Sequence, residues 1–268
     1  MTLKAGYVNP HVHKLIKKKR CKKRAHRTHA DPMGLQRLFE SCKEVFKGPG
    51  TVPCSSDVQK MCHILDSMTP EDVGLCRDLQ FFQPKSHSKR NPRVAYTTIY
   101  QSKNFSLCIF FLPATAVIPL HNHPGMTVFS KLLLGTVHIK AYDWADPINS
   151  DNSMGPNQPR LAKLKANNVF TAPCDTSVLY PTSGGNIHSF TAITPCAILD
   201  VLGPPYSNED GRDCSYYRDT PCTSLSSGEA TLANEEGISY GLLEEIEMPE
   251  ESLMDGIEYM GPQVIDSP

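Results

Sequence analysis

Residues 118–125 read Ile118-Pro119-Leu120-His121-Asn122-His123-Pro124-Gly125, at the end of one run of apolar and β-branched residues and just ahead of the next. On an extended strand, residues two apart share a face, so His121 and His123 are expected to project side by side. Two imidazoles placed in this way can take adjacent positions on one cation, because metal–nitrogen bonds are only about 2.1 Å long. The spacing alone is weak evidence. His11-Val12-His13 repeats it within a basic stretch that has no strand-forming neighbours.

Context separates the two pairs. After Asn91-Pro92 the chain turns to β-branched and aromatic runs at 94–101, 105–112, 115–121, 126–134, 136–143, 168–172, 176–180, 186–193 and 196–202, with turn residues between them. Many short strands at close spacing predict a sandwich or barrel. Within the later runs, Tyr180-Pro181-Thr182-Ser183-Gly184-Gly185-Asn186-Ile187-His188 delivers a third histidine from a Pro/Gly turn at the start of a strand. Ahead of the strands, Leu35, Leu38, Phe39, Cys42, Val45 and Phe46 follow a helical face that Gly48-Pro49-Gly50 ends. Ser55-Ser56-Asp57 offers an N-cap to a second helix, and Thr69-Pro70-Glu71-Asp72 opens a third, short one. Residues 145–159 and 207–235 are polar and turn-rich and read as loops.

The net charge of −1 conceals an asymmetry. Residues 1–30 carry ten Lys/Arg and no acid, residues 223–268 carry eleven Asp/Glu and no base, and the stretch between them balances. The folded part is therefore expected to bind neither nucleic acid nor a membrane surface. The longest apolar stretch, Leu107 to Leu120, is broken by Pro113 and Pro119 and is too short to span a bilayer. Ten cysteines occur without a C-x-x-C pair, and the N-terminus lacks the apolar core and cleavage site of a signal peptide. Reduced intracellular thiols are the expectation. The basic run KLIKKKRCKKRAHR at 14–27 reads as a solvated tail or a nuclear-import signal.

Two histidine blocks about 65 residues apart, bracketed by strands, with Gly135 in the hairpin after the first, resemble the cupin barrel. The glutamate that usually follows H-x-H in that fold would fall at Thr127 or Val128, neither of which offers a carboxylate. Three neutral histidines remain, an arrangement that resembles thiol dioxygenases and departs from the two-His-one-carboxylate triad of many non-haem iron oxygenases. The stretches HNHPGMTVFSKLLLGTVHIKAYDW, SGGNIHSFTA and AILDVLGPPYS, followed by Asp219, resemble the plant cysteine oxidases and, more distantly, animal cysteamine dioxygenase, over roughly residues 35–261.

That resemblance implies an all-β core, a cupin double-stranded β-helix or jelly-roll barrel with a few N-terminal helices. The residues themselves divide the chain into a basic tail at 1–32 too charged to pack and read as disordered, a helical segment at 33–92 packed on the barrel, the barrel core at 93–222, and an acidic segment at 223–268 whose Tyr240-Gly241-Leu242-Leu243 and Ile257-Glu258-Tyr259 are expected to fold it back on the barrel. By the resemblance, His121, His123 and His188 would ligate Fe(2+). Asp200, a lone acid in the apolar strand Ala197 to Leu202, needs a partner because burying it unpaired is costly; the residues alone allow a purely structural ion pair, and the resemblance places it near the iron, where it would orient substrate or a water. Tyr206 would stand at the active-site mouth, with Cys214 an ordinary loop thiol. His138, alternating with Thr136, Lys140 and Tyr142, reads as structural or exposed.

The implied activity is oxidation of an N-terminal cysteine on protein or peptide substrates to a sulfinic acid with O2. The group VII ethylene-response transcription factors are the implied targets, which would make the protein a hypoxia sensor feeding the N-degron pathway. A monomer in the nucleus and cytoplasm is expected. The alternatives are a dioxygenase for a small free thiol such as cysteine or cysteamine, a zinc hydrolase, and a non-catalytic cupin binding module.

Overall fold

A computed structural model describes residues 33–75, 93–145, 158–221 and 239–266. The basic tail, with His11 and His13, and most of the polar loop at 145–159 lie outside these residues. Two helices come first, α1 (Met33–Val45) and α2 (Ser55–Ser67), then a single 3-10 turn at Pro70–Val73. Thr69 and Asp72 close a capping box on that turn, as its Thr-Pro-Glu-Asp order requires. The second helix starts one residue earlier than its serines suggest: Cys54 is the N-cap, and its thiol lies 3.2 Å from the Asp57 carboxylate.

Among the described residues twelve strands follow: β1 (Ala95–Gln101), β2 (Ser106–Leu112), β3 (Val117–Asn122), β4 (Thr127–Leu134), β5 (Thr136–Trp144), β6 (Arg160–Thr171), β7 (Ser177–Leu179), β8 (Ile187–Ala192), β9 (Cys196–Gly203), β10 (Tyr216–Pro221), β11 (Tyr240–Ile246) and β12 (Asp255–Gly256). One sheet has the order β12-β1-β2-β9-β4-β7. The other, β10-β11-β6-β5-β8-β3, closes on itself where Tyr216 pairs with His121. This is the expected cupin architecture, with the described residues mostly β beside the N-terminal helices and one 3-10 turn at Glu250–Ser252.

Strand alternation sorts the core into layers. In β9, Ala197, Leu199 and Val201 pack with Leu38, Phe39, Met61 and Leu65 of the helices. Cys196 and Ile198 point the other way and join Ile118, Val137 and Phe190 of the opposite sheet. Every residue of β9 is buried for this reason: the helices cover its outer face and the second sheet covers its inner face. Asp200 falls in step with Ile198 and Leu202, so its carboxyl group belongs to the inter-sheet layer.

Three strands were not foreseen, and β6 is far longer than the run 168–172 that its β-branched residues mark. Its first half, Arg160 to Asn167, is polar and mostly part-exposed, so it carries no apolar alternation to read. β10, β11 and β12 are recruited from polar or acidic sequence by pairing. Leu243 alone of β11 enters a small cluster with Tyr142, Ile187 and Tyr217, while β12 adds in parallel to the edge of β1. Beyond it the chain reaches α1, where Lys43 meets Asp266 at 2.8 Å and the Gln36 amide bonds both the N–H and the C=O of Ile265.

Gly135 links β4 to β5 with φ +89°, and a Cβ added there would lie 2.2 Å from the Pro195 carbonyl oxygen. Left-handed strain and overpacking act together at this point. Gly135→Ala is expected to lower stability by about 3 kcal/mol, read as a fall in the urea midpoint at unchanged slope. An unshifted midpoint would contradict the close approach.

Candidate metal centre and its surroundings

The three histidines arrive from two neighbouring strands. His121 of β3 pairs directly with His188 of β8, and His123 follows β3 by one residue. A register irregularity between Ile118 and His121 re-aims β3. It leaves Ile118 in the inter-sheet core and sends Leu120 into the small cluster inside the closed sheet. His188 shares its face with Phe190, which packs edge-on against it at 4.7 Å. All three imidazoles are buried.

Their ring centroids lie 4.8–4.9 Å apart, and one candidate ligand nitrogen from each comes within 4.8 Å of the others. Nε2 of His123 is 3.1 Å from Nε2 of His188. Two nitrogens each about 2.1 Å from one ion and at right angles to one another stand roughly 3.0 Å apart, so this pair already matches adjacent coordination positions. Among the described residues it is the one such group of three. Burial lowers all three pKa values, and for His123 and His188 the neighbouring imidazoles push them down further. The rings are therefore neutral, the form a metal ligand needs.

Hydrogen bonds decide which nitrogen carries the proton in two of the rings. His121 Nδ1 lies 2.8 Å from the Pro119 carbonyl, which only accepts, so Nδ1 holds the hydrogen and Nε2 keeps its lone pair. For His123 the argument passes through Tyr206. The Tyr206 hydroxyl lies 2.9 Å from the Asn122 carbonyl and 2.9 Å from His123 Nδ1. Burial, with Cys214 adding to it, raises the tyrosine pKa well above its ordinary value, so the hydroxyl keeps its proton. It donates to the carbonyl and accepts from His123 Nδ1–H, again leaving Nε2 free. Tyr206 is thus a positioning residue, orienting one imidazole as partners of metal-bound histidines do.

Asp200 has no ion-pair partner among the described residues. Ser130, opposite it on β4, hydrogen-bonds the carboxyl group, while Oδ1 is buried without a partner. Burial, only partly offset by Ser130, pushes its pKa up to about 7. The charge of Asp200 is a minor contribution to the raised pKa of Tyr206, after burial, Cys214 and Tyr216. His138 stands apart, its Nε2 2.8 Å from the Asn167 side chain on the neighbouring strand. Asp219 is taken up by Lys140 and the Tyr142 hydroxyl. Thr127 and Val128, the positions without a carboxylate, are buried. Sequence reading missed Ser130, whose pairing to Asp200 is visible only in the register, and Asn186, which stands in plain view inside the third-histidine block.

The PCO_ADO family profile matches residues 64–264. Plant cysteine oxidase 1 of Arabidopsis thaliana is 49% identical over 240 residues, covering 87% of this chain and 80% of that protein. The 2-aminoethanethiol dioxygenase of Mus musculus is 36% identical over 169 residues, 58% of this chain and 65% of that protein. Among solved structures, an RmlC-like cupin protein from Desulfovibrio desulfuricans aligns at 17% identity and a TM-score of 0.30, over 49% of this chain and 97% of that one. With a profile that spans most of its length and a relative identical at nearly half of the aligned positions, the chain belongs to the PCO_ADO family of thiol dioxygenases.

Proposed function

We propose that this thiol dioxygenase oxidises the N-terminal cysteine of regulatory proteins to cysteine sulfinic acid, with Fe(II) held by His121, His123 and His188. The observation that carries the reading is the cluster of three buried, neutral imidazoles with no carboxylate among them. A ferrous ion there would supply an undiminished double positive charge, favouring thiolate over thiol, together with the electrons that activate dioxygen. The overall change balances without a further reductant: the thiol loses four electrons, one O2 takes them up, and both oxygen atoms end on sulfur. Neither 2-oxoglutarate nor a nicotinamide is needed.

The chain's own groups have separate tasks in this reading. Tyr206 fixes the His123 ring, and the inter-sheet apolar layer keeps bulk water from the sulfur. Asp200 offers an unpartnered oxygen to a cationic donor, and the α-ammonium of an N-terminal cysteine is such a donor, placed two bonds from the carbon that bears the sulfur. An internal cysteine has an amide there and would leave the acid unpaired.

The group VII ethylene-response transcription factors are the substrates we assign, with oxidation marking them for the N-degron pathway and oxygen supply setting their lifetime. A monomeric enzyme in nucleus and cytoplasm fits that role. Incubating Cys-initiating peptide, its N-acetylated form and 2-aminoethanethiol with protein, Fe(II) and O2 separates the readings by mass spectrometry. The free-amine peptide is expected to gain about 32 Da and the acetylated one nothing. Oxidation of 2-aminoethanethiol alone would assign a small-thiol substrate, and no oxidation of any of the three would leave a binding module.

A further inference from the structure

Asn186 makes more polar contacts to the site's backbone than any ligand does. Its Oδ1 accepts the His123 N–H at 3.1 Å, and its Nδ2 donates to the His123 carbonyl at 2.9 Å and to the Tyr180 carbonyl at 2.7 Å. Only this orientation of the amide satisfies all three, since two partners are carbonyls and the third is an N–H. The side chain therefore grips both polar groups of one residue, as a neighbouring strand would, at the point where β3 has ended and no strand supplies that pairing. His123 is the one histidine of the three outside a strand.

Asn186 is itself held. Asp143, buried near the end of β5, accepts the N–H of Gly185 at 2.8 Å and of Asn186 at 3.0 Å through the same oxygen. Gly185 has φ +85°, and a Cβ there would meet the Ala141 side chain at 2.8 Å, so the turn lies tightly against β5. Two residues beyond Asn186 stands His188. A single chain of hydrogen bonds thus runs from Asp143 through the turn to Asn186 and on to His123, joining the third-histidine block to the first.

We infer that Asn186, braced by Asp143, positions His123 relative to His188 and so sets the metal affinity of the site. This rests on the reading of His123 as a metal ligand. Removing a partner that orients a ligand typically costs 10–100-fold in metal affinity, without the ligand itself being lost. Asn186→Asp keeps the acceptor for the His123 N–H but turns an oxygen toward two carbonyls. Asp143→Ala leaves every His123 contact intact while freeing the turn and a 3.9 Å ion pair to Lys165, whereas Asp143→Asn loses the charge but retains the oxygen that holds the turn.

The test is anaerobic titration with Co(II), followed by its visible absorption and by calorimetry, on the full chain with near-UV dichroism as a check of folding. Asn186→Asp and Asp143→Ala are expected to bind Co(II) about 10–100-fold more weakly than the wild type, with an altered band shape at saturation. Asp143→Asn should stay within about threefold of the wild type, because its acceptor survives. Cobalt affinity within about twofold of the wild type in Asn186→Asp and Asp143→Ala, with only the melting temperature lowered, would overturn the inference and leave these residues as parts of the fold. If Asn186→Asp does not fold, Asp143→Ala decides by the same criterion. Failure of the wild type to bind Co(II) at all would instead strike the metal-site reading beneath.

Discussion

His188→Ala is expected to reduce turnover to the uncatalysed background and to lower metal content to that of a chelator-treated sample. The site contains three neutral donors and no acid, so losing one leaves two imidazoles and no group of three among the described residues. His188 also faces His121 across the β3–β8 pair and His123 at 3.1 Å, so its removal breaks both contacts at once. Thermal melts distinguish this from misfolding. The wild type should gain stability on metal addition, by about 2.7 kcal/mol at a hundred times the dissociation constant, and the variant should gain nothing while its metal-free melt stays cooperative. His138→Ala supplies the contrast, because its ring makes an exposed hydrogen bond to Asn167 on the neighbouring strand. Turnover by His188→Ala equal to that of the wild type would remove the metal centre from the mechanism.

Much of this candidate centre can be read in the linear chain because its three histidines lie in two short blocks. His121 and His123 are two residues apart, and His188 follows a Pro/Gly turn whose glycines are needed for the backbone path. What holds these histidines in place is less legible. Tyr206 reaches His123 from 83 positions away, and its role depends on a hydroxyl that contacts a carbonyl and an imidazole together. Ser130 meets Asp200 only because β4 and β9 pair in one register. Local residue patterns carry no record of such pairings, since any strand face could in principle meet any other.

The same division holds for the fold. Strands buried on one or both faces announce themselves through β-branched and aromatic residues, and β2, β4 and β9 stand close to where those runs lie. β10 reads Tyr-Tyr-Arg-Asp-Thr-Pro and β11 is acidic toward its end, so neither has the apolar period that marks a strand. Their partners supply what their sequences lack: six residues of β10 pair with β11, and β11 in turn continues onto β6. Tertiary context here overrides weak local preference, as is usual for strands.

Asp200→Asn is expected to weaken the enzyme and strengthen the fold. In the folded chain the carboxyl group titrates near pH 7, above its value of roughly 4 in an unfolded chain. Between those pH values the native state binds the extra proton, so stability falls as pH rises through the window, and the loss is complete above about pH 7. A gap of about 3 pH units corresponds to a loss on the order of 4 kcal/mol for the metal-free protein. Asparagine does not titrate, so the variant should melt higher than the wild type at pH 8, by a margin that vanishes near pH 4. Catalysis should move the other way. If the free oxygen of Asp200 receives the substrate ammonium, its neutral replacement costs about 2–5 kcal/mol, roughly 30-fold to a few thousandfold in kcat/KM for a Cys-initiating peptide. Wild-type kcat/KM in Asp200→Asn would dismiss the ammonium contact, and a pH-independent stability difference would show that the acid is ionised in the fold. A buried carboxyl group that lowers stability, and whose Oδ1 has no partner among the described residues, is the pattern of a group kept for what binds to it.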